Sequence, residues 1–374
     1  MSKSKSAFSL ATAARNCVRL PFSLLLEFLY QRSSKPAQAR ALQRQMDQWA
    51  RLLQVPIYCG NVDEWHAYFD RHHDRLPGLL AALQEGTDER SREELALFYE
   101  RYRHVFPPSR FQGQVFFDPD TILTPAEKAA ARELKEFAAK PSEFVFPQGV
   151  GNEEPHLFWS QLGLVHLPPA ARGQIRDGDV IDGGAYCGDS AMVFTKYQPR
   201  SIHAFEAFPA SVELLKQMIA LNHMEGRILP VGLGLGRAKG SLNMTRRVES
   251  GSGMDVQLQP GEAAVPPGRK VVGTVGVTTI DDYVAEHQLR PVAIKLDVEG
   301  AEYSVIEGAL KTIRDFHPSL LISIYHRPQD FFEIRPLIET VTQKYEYRFR
   351  YLCPTSPSNE FMLIAHVPGK NEDQ

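Results

Sequence analysis

The sequence predicts an α/β protein, with a mostly parallel sheet of seven strands preceded by a helical N-terminal region. Three observations carry this. Residues 180–190 read Val-Ile-Asp-Gly-Gly-Ala-Tyr-Cys-Gly-Asp-Ser, a short apolar strand, a glycine-rich turn and a helix start. From Val180 onward, apolar strand-like runs alternate with helical ones, the pattern of a parallel sheet with crossover helices. Before about residue 140, apolar residues recur at helical spacing and no strand alternation is seen.

In the N-terminal part, Leu42, Met46, Trp49, Leu52 and Leu53 form a helical stripe across Ala39–Leu53. Ser91 followed by Glu94 predicts a capping box opening a helix over Glu93–Tyr102. Thr124-Pro125-Ala126-Glu127 predicts a second box, with proline at the first helical position and a helix running to about Ala139. Pro107-Pro108 and Gln112–Pro119 read as loop. His72-His73 beside Asp70 and Asp74 reads as a solvated charged face, because adjacent helical positions point in different directions.

The sheet begins with Val180–Asp182, followed by a helix over Ser190–Tyr197. Ser201–Glu206 is the second strand, and its helix Ala210–Leu221 carries Leu214, Leu215, Met218 and Ile219 as apolar positions. Ile228–Gly232 is a third strand. Gly240–Val277, rich in glycine and polar residues, predicts a hairpin excursion, and Thr279–Glu286 a short helix. Val292–Asp297 is the fourth strand, followed by one helix over Ala301–Phe316. Leu320–Tyr325 is the fifth strand and Asp330–Lys344 a further helix. Tyr347–Leu352 and Glu360–Val367 suggest a closing antiparallel pair.

At 374 residues the chain exceeds one average domain. The change of pattern divides it into a helical domain over 1–143 and a second domain over 144–374. A net charge of −3, with 43% apolar and 23% charged residues, lacks the basic surplus of a nucleic-acid binder. Cys17, Cys59, Cys187 and Cys353 form no C-x-x-C pair and read as free thiols in a reducing compartment. Leu20–Tyr30 is apolar apart from Ser23 and Glu27, but eleven residues are too few to span a bilayer. No small-residue cleavage pattern follows it. The segment reads as an amphipathic helix packed on its own domain, and the protein as soluble and cytoplasmic.

Glu206 ends the second strand eighteen residues after Gly188, where an acid can hold the hydroxyls of a ribose. The glycine turn does not fit G-x-G-x-x-G, since the next glycine after Gly184 is Gly188, and no P-loop lysine follows. A nucleoside cofactor without phosphates fits, which points to S-adenosyl-L-methionine and methyl transfer. The candidate cofactor residues are Asp182, Gly183, Gly184, Ala185, Gly188, Asp189, Ser190 and Glu206. Asp182 would either fix the turn by accepting backbone N–H bonds or meet the cationic methionine part. The glycines are expected to make room for the ligand, so that Gly184→Val would block binding and leave folding intact. Tyr186 and Cys187 read as packing residues.

Methyl transfer to a hydroxyl requires alignment, exclusion of water, and a base or metal ion to lower the cost of losing the proton. The fourth strand ends at Asp297-Val298-Glu299-Gly300 and the fifth at Tyr325-His326. His326 is the candidate general base, with an ordinary pKa near neutrality; the alternative is a capping or core histidine. Asp297 and Glu299 could orient it, hold the hydroxyl, or bind a cation through oxygen. Glu299 could equally serve the dipole of a helix starting at Ala301. Lys295, on the same strand face as Asp297, would pair with a carboxylate. No third carboxylate is evident beside these groups, so no metal site is expected.

Residues 180–190 above, Ala-Phe-Glu-Ala-Phe-Pro (204–209), Thr-Thr-Ile-Asp-Asp-Tyr (278–283), Ile-Lys-Leu-Asp-Val-Glu-Gly-Ala-Glu (294–302) and Ser-Ile-Tyr-His (323–326) together resemble the FkbM family of S-adenosylmethionine-dependent methyltransferases. The likeness covers roughly Phe144–Val367, and its Lys-x-Asp-Val-Glu-Gly-Ala-Glu run is the most specific part. The resemblance implies a class I, Rossmann-like fold and O-methylation of sugars, polyketides or related metabolites. It implies a cofactor role for Asp182, Gly184, Gly188 and Glu206, and places the family's acid motif on Asp297 and Glu299. Gly183 stands where relatives often carry valine, and Arg350-Tyr351-Leu352-Cys353 where many carry a histidine-containing segment. The helical first part lies outside the likeness and would select substrate or dock a partner. The implied partner is a small-molecule or glycan acceptor, not a nucleic acid. A non-catalytic cofactor- or partner-binding protein on the same fold is disfavoured by the intact acids. An NAD-dependent oxidoreductase is disfavoured by the glycine spacing.

Overall fold

The computed structural model describes residues 62–106, 122–150, 154–247, 256–260, 265 and 267–368. Strand β1 (Asp179–Gly183) lies inside a seven-stranded sheet. It pairs in parallel with β2 (Ser201–Phe205) on one side and β8 (Pro291–Leu296) on the other. The full order is β10-β11-β9-β8-β1-β2-β3. Here β3 is Ile228–Val231, β9 Ser319–Ser323, β10 Glu346–Tyr351 and β11 Phe361–His366. Only β11 runs against the rest. Strands β1, β2, β9 and β11 are buried along their whole length, as expected where helices cover both faces. The chain leaves β1 toward β2 and β3 and returns on the other side at β8. The topological switch, where ligands of open α/β sheets bind, therefore falls at the carboxyl ends of β1 and β8.

Alternation along the strands divides the core in two. Val180, Ile202, Ala204 and Leu321 face α5 (Pro155–Ser160), α7 (Asp189–Thr195) and α8 (Pro209–Leu221). Ile181, Phe205, Ile294 and Ile322 face α9 (Ile280–His287), α10 (Glu302–Glu307), α11 (Leu310–Phe316) and α12 (Pro328–Glu339). A short helix α6 (Pro169–Gly173) leads into β1. The excursion after β3 is a four-stranded sheet in the order β4-β7-β5-β6, where β4 is Gly234–Leu235, β5 Gly240–Arg247, β6 Val256–Pro260 and β7 Arg269–Thr278.

The single helix expected over Ala301–Phe316 is two, α10 and α11, broken at Gly308. A Cβ there would lie 2.2 Å from the Gly236 carbonyl oxygen. The open start of α11 is capped from a distance: the Asp281 carboxylate accepts from Lys311 N at 3.1 Å and Thr312 N at 2.7 Å.

Before the sheet come α1 (Val62–His72), α2 (Leu76–Gln84), α3 (Glu89–Glu100, continuing into a π-helical turn at Arg101–Val105) and α4 (Pro125–Ala138). The Thr124–Glu127 capping box forms as expected. The Ser91–Glu94 box does not. Asp88 caps α3 by accepting from Ser91 N at 2.7 Å, which starts the helix earlier and frees both side chains. Ser91 Oγ accepts from Phe349 N and Glu94 Oε2 from Tyr351 N, at 3.0 and 2.7 Å. These bonds satisfy the outer edge of β10, which would otherwise present unpaired donors. Trp65, Phe98 and Tyr102 pack with Phe331, Phe332 and Phe361 in one core with the sheet. His73 lies 3.0 Å from Asp74 with both side chains largely exposed, a solvated pair. Cys187 and Cys353 are free and buried. Leu20–Tyr30, Ala39–Leu53, Pro107-Pro108, Gln112–Pro119, Cys17 and Cys59 lie outside the described residues. Among the described residues no helix is long and apolar enough to cross a membrane.

Candidate active site

The glycine turn leaves β1 at the switch point. Gly184 N and Ala185 N donate to Phe205 O at 3.0 and 2.9 Å, and Asp297 N donates to Gly183 O at 3.0 Å. The ends of β1, β2 and β8 are thus tied together. The glycines answer to this closeness rather than to ligand space alone. A Cβ on Gly184 (φ +77°) would lie 1.7 Å from Asp297 O. On Gly183 it would meet Leu296 Cδ2 at 2.8 Å, and on Gly188 (φ +96°) Leu215 Cδ1 at 2.7 Å. The expectation that Gly184→Val spares folding is therefore corrected: a side chain there collides with backbone from β8.

Asp182 is fully buried. Its Oδ2 accepts from Ser190 Oγ at 2.7 Å, and its Oδ1 lies 3.3 Å from Lys295 Nζ. The ammonium also donates to Gly184 O at 2.8 Å. Burial opposes the charge on Lys295, yet Asp182 and the neighbouring acids raise its pKa. Of the two roles open for Asp182, fixing the turn is the one with partners in the protein, though through Ser190 and Lys295 rather than backbone donors. Asp189, at the start of α7, accepts from Ser190 N at 2.8 Å, and burial raises its pKa. Ala185 is buried beneath the turn.

Glu206 is buried at the end of β2 and faces back toward the turn. Oε2 accepts from Tyr186 N at 2.9 Å and Oε1 from Phe208 N at 2.7 Å. Burial raises its pKa, and the backbone donors oppose that rise. The carboxylate is held in one orientation and retains lone pairs for further donors. Tyr186, half exposed, is not a core residue.

At the ends of β8 and β9, His326 is ringed by acids. Nε2 lies 3.6 Å from Asp297 Oδ1 and 3.6 Å from Glu299 Oε2, and Nδ1 lies 3.0 Å from Glu302 Oε1. Burial alone would lower its pKa, but Glu302, Asp297 and Glu299 raise it to about 10. With no cation beside it, the acids thus hold His326 above the near-neutral range that its strand-end position suggested. Asp297 is pushed up to about 7, first by burial and then by Glu360. Glu299 (φ +58°) has a side chain 90% exposed and precedes the helix rather than serving its dipole. That position belongs to Glu302, fully buried, whose Oε1 accepts from Val298 N at 2.8 Å.

Glu302 was visible in the sequence only as the last letter of a motif; its burial depends on where α10 starts. It supplies the third carboxylate whose apparent absence argued against a metal. Glu360 and His156 were also missed. Glu360 Oε1 accepts from Tyr325 Oη at 3.1 Å, and Oε2 lies 3.4 Å from His156 Nε2. Burial opposes protonation of His156, but Cys353 and Glu360 raise it to about 11. Glu360 opens an antiparallel strand, so its amino end meets the rim formed by the carboxyl ends of the parallel strands. Beside Glu299 opens a polar pocket of about 300 Å³, lined by Arg237, Gly300, Tyr303, Ser304, Arg327 and Gln329 among others. Arg327 donates to Glu64 of α1 at 2.7 and 2.9 Å, which brings the helical N-terminal region to the rim.

The family model of the methyltransferase FkbM domain matches residues 182–351. Among solved structures, the chain is similar to methyltransferase FkbM from Methylobacillus flagellatus KT, at 18% identity and a TM-score of 0.50, over 86% of this chain and 70% of that one. Weaker likenesses are to an rRNA methylase from Streptococcus thermophilus (11% identity, TM-score 0.33, 54% of this chain and 93% of that one). The O-methyltransferase from Bacillus cereus in complex with SAH is likewise weaker (11%, 0.33, 66% and 93%). No curated protein matches the chain. The switch-point crevice thus falls within the segment, residues 182–351, that matches the methyltransferase FkbM domain model, and the seven-stranded, mostly parallel sheet is the fold of a class I methyltransferase.

Proposed function

We propose that this methyltransferase uses S-adenosyl-L-methionine and transfers its methyl group to a hydroxyl oxygen of a sugar, polyketide or related metabolite. The observation that carries the reading is the division of the crevice. One side is built from β1 and β2 with Glu206 held by two backbone donors. The other, at the ends of β8 and β9, gathers Asp297, Glu299 and His326. In this reading the first side receives the nucleoside and the methionine part, with Asp182, Gly183, Gly184, Ala185, Gly188, Asp189 and Ser190 shaping the turn around them. The acidic side, with Asp297, Glu299 and His326, would then hold the acceptor hydroxyl.

The transfer is an in-line displacement: the hydroxyl oxygen forms a bond to the methyl carbon, the carbon–sulfur bond breaks, and S-adenosylhomocysteine leaves. The hydroxyl proton passes to a carboxylate oxygen of Asp297, pushed up to about 7, beside which His326 lies at 3.6 Å. The net charge of −3 supports a small-molecule or glycan acceptor over a nucleic acid. We read the helical part, residues 1–143, as the unit that selects the acceptor, since Glu64 holds Arg327 at the pocket beside the site. The free thiols of Cys187 and Cys353 support a reducing, cytoplasmic setting. The test is mass spectrometry of cell extract incubated with the protein and methyl-labelled S-adenosylmethionine. Enzyme-dependent gain of one methyl on a hydroxyl is the expected result. Label appearing only on nitrogen or RNA overturns the hydroxyl acceptor, and none at all favours a non-catalytic binding protein.

A further inference from the structure

We propose that Asp297, Glu302 and His326 form a site for one divalent first-row cation of the Mn²⁺ class, at the carboxyl ends of β8 and β9. The inference rests on the transferase reading and deepens it. A cation beside the acceptor hydroxyl would polarise that oxygen and stabilise it as its proton leaves.

The geometry comes first. Each of the three residues offers one ligand atom, and these atoms lie within 4.8 Å of one another. A cation takes one ring nitrogen, and His326 Nε2 lies 3.6 Å from Asp297 Oδ1. Ligands bound at about 2.0–2.2 Å to one small cation sit about 3–3.6 Å apart. The second observation is independent of the clustering. Glu302 is fully buried, and its Oε2 has no hydrogen-bond partner among the described residues, while Oε1 is already engaged by Val298 N. Asp297 Oδ1 is likewise buried without a hydrogen-bond partner. Buried carboxylate oxygens left without a donor are rare and costly, and a cation between the two strand ends would satisfy both.

The donor set decides the class of ion. Two carboxylates with one imidazole are softer than the all-oxygen shells that suit Ca²⁺ and Mg²⁺, and lack the thiolates of a structural zinc site. Three protein ligands leave positions open for water or the acceptor oxygen, the arrangement of catalytic rather than structural metals. Glu299, exposed and 3.6 Å from His326 Nε2, stands at the mouth. A competing account uses no cation. Asp330 Oδ2 is also buried without a partner, and a proton shared between Glu302 and Asp330 would satisfy those two carboxyls.

The experiment uses the chelator-treated full chain, titrated with MnCl₂ and followed by the electron paramagnetic resonance signal of free Mn²⁺. Wild type, Glu302→Gln and Asp297→Asn are compared, with calorimetric binding of S-adenosylhomocysteine measured on each. One Mn²⁺ per wild-type chain is expected, weakened about tenfold or more in each variant, with S-adenosylhomocysteine affinity unchanged. Absence of Mn²⁺ binding in the wild type overturns the site and leaves the shared proton as the account. Wild-type affinity in both variants overturns it as well. If Glu302→Gln fails to fold, Asp297→Asn, at the partly exposed mouth, decides. Failure of the wild type to bind S-adenosylhomocysteine sinks the transferase reading instead, whatever Mn²⁺ does.

Discussion

At Gly184 the turn after β1 passes so close to the end of β8 that any side chain would strike the Asp297 carbonyl. Gly184→Ala is therefore expected to destabilise the fold by about 2 kcal/mol or more, from backbone strain and overpacking together. Urea unfolding measures this, and wild-type stability would mean that the turn is looser than described. The glycine itself was legible in the sequence, but its reason was not, because the atom it avoids lies on a strand more than a hundred residues away. His326 follows the same pattern: its place at a strand end was legible, while its raised pKa depends on Glu302, Asp297 and Glu299 converging from other segments. Under the proposed function, His326→Ala removes the polar group facing Asp297 and should lower turnover roughly 10²–10³-fold, the scale for losing one electrostatic stabiliser, and leave cofactor affinity unchanged, because Glu206 lies at the end of β2. Turnover per folded molecule, measured beside stability, separates this from a purely structural role. Retained turnover removes His326 from the chemistry.

Helix α3 and the edge strand β10 show how an element can be read correctly as a helix and wrongly at its start. Ser91 and Glu94 have the spacing of a local cap, but Asp88 caps the helix, and both side chains turn to the edge of β10. Glu94→Ala should cost about 1–3 kcal/mol by leaving Tyr351 N without its acceptor, measurable by chemical denaturation. Asp88 makes a pH prediction. Burial would raise its pKa, but hydrogen bonds from Arg350 and Ser91 prevail and hold it at about 2, below its ordinary 3.8. A folded-state value below the unfolded one means stabilisation that is complete above pH 3.8 and lost as the pH falls through about 2. Asp88→Asn should therefore be less stable at neutral pH and lack this part of the acid slope; an unchanged slope contradicts the assignment. The break at Gly308 was illegible for a related reason, since its contacts come from Gly236 and the cap on α11 from Asp281. Glu360 was illegible as a site residue because it precedes an antiparallel strand, whose amino end meets the rim.

Over the whole molecule, the alternation of apolar runs was enough to anticipate seven strands and the closing antiparallel pair. The position of the N-terminal helices was not, because Trp65, Phe98 and Tyr102 carry no local sign that their partners are Phe331, Phe332 and Phe361. That shared core joins the helical region to the sheet and brings Glu64 to Arg327. The claim on which all of this depends is that the crevice between β1 and β8 binds a nucleoside sulfonium cofactor, with Glu206 as its anchor. Calorimetric titration of the folded chain with S-adenosylhomocysteine, with NAD as the competitor and Glu206→Ala as the control, tests it most directly. The account predicts one S-adenosylhomocysteine per chain, no heat from NAD, and a loss of about 1–3 kcal/mol in the variant. Absence of S-adenosylhomocysteine binding by folded wild type, or NAD binding in its place, would contradict it.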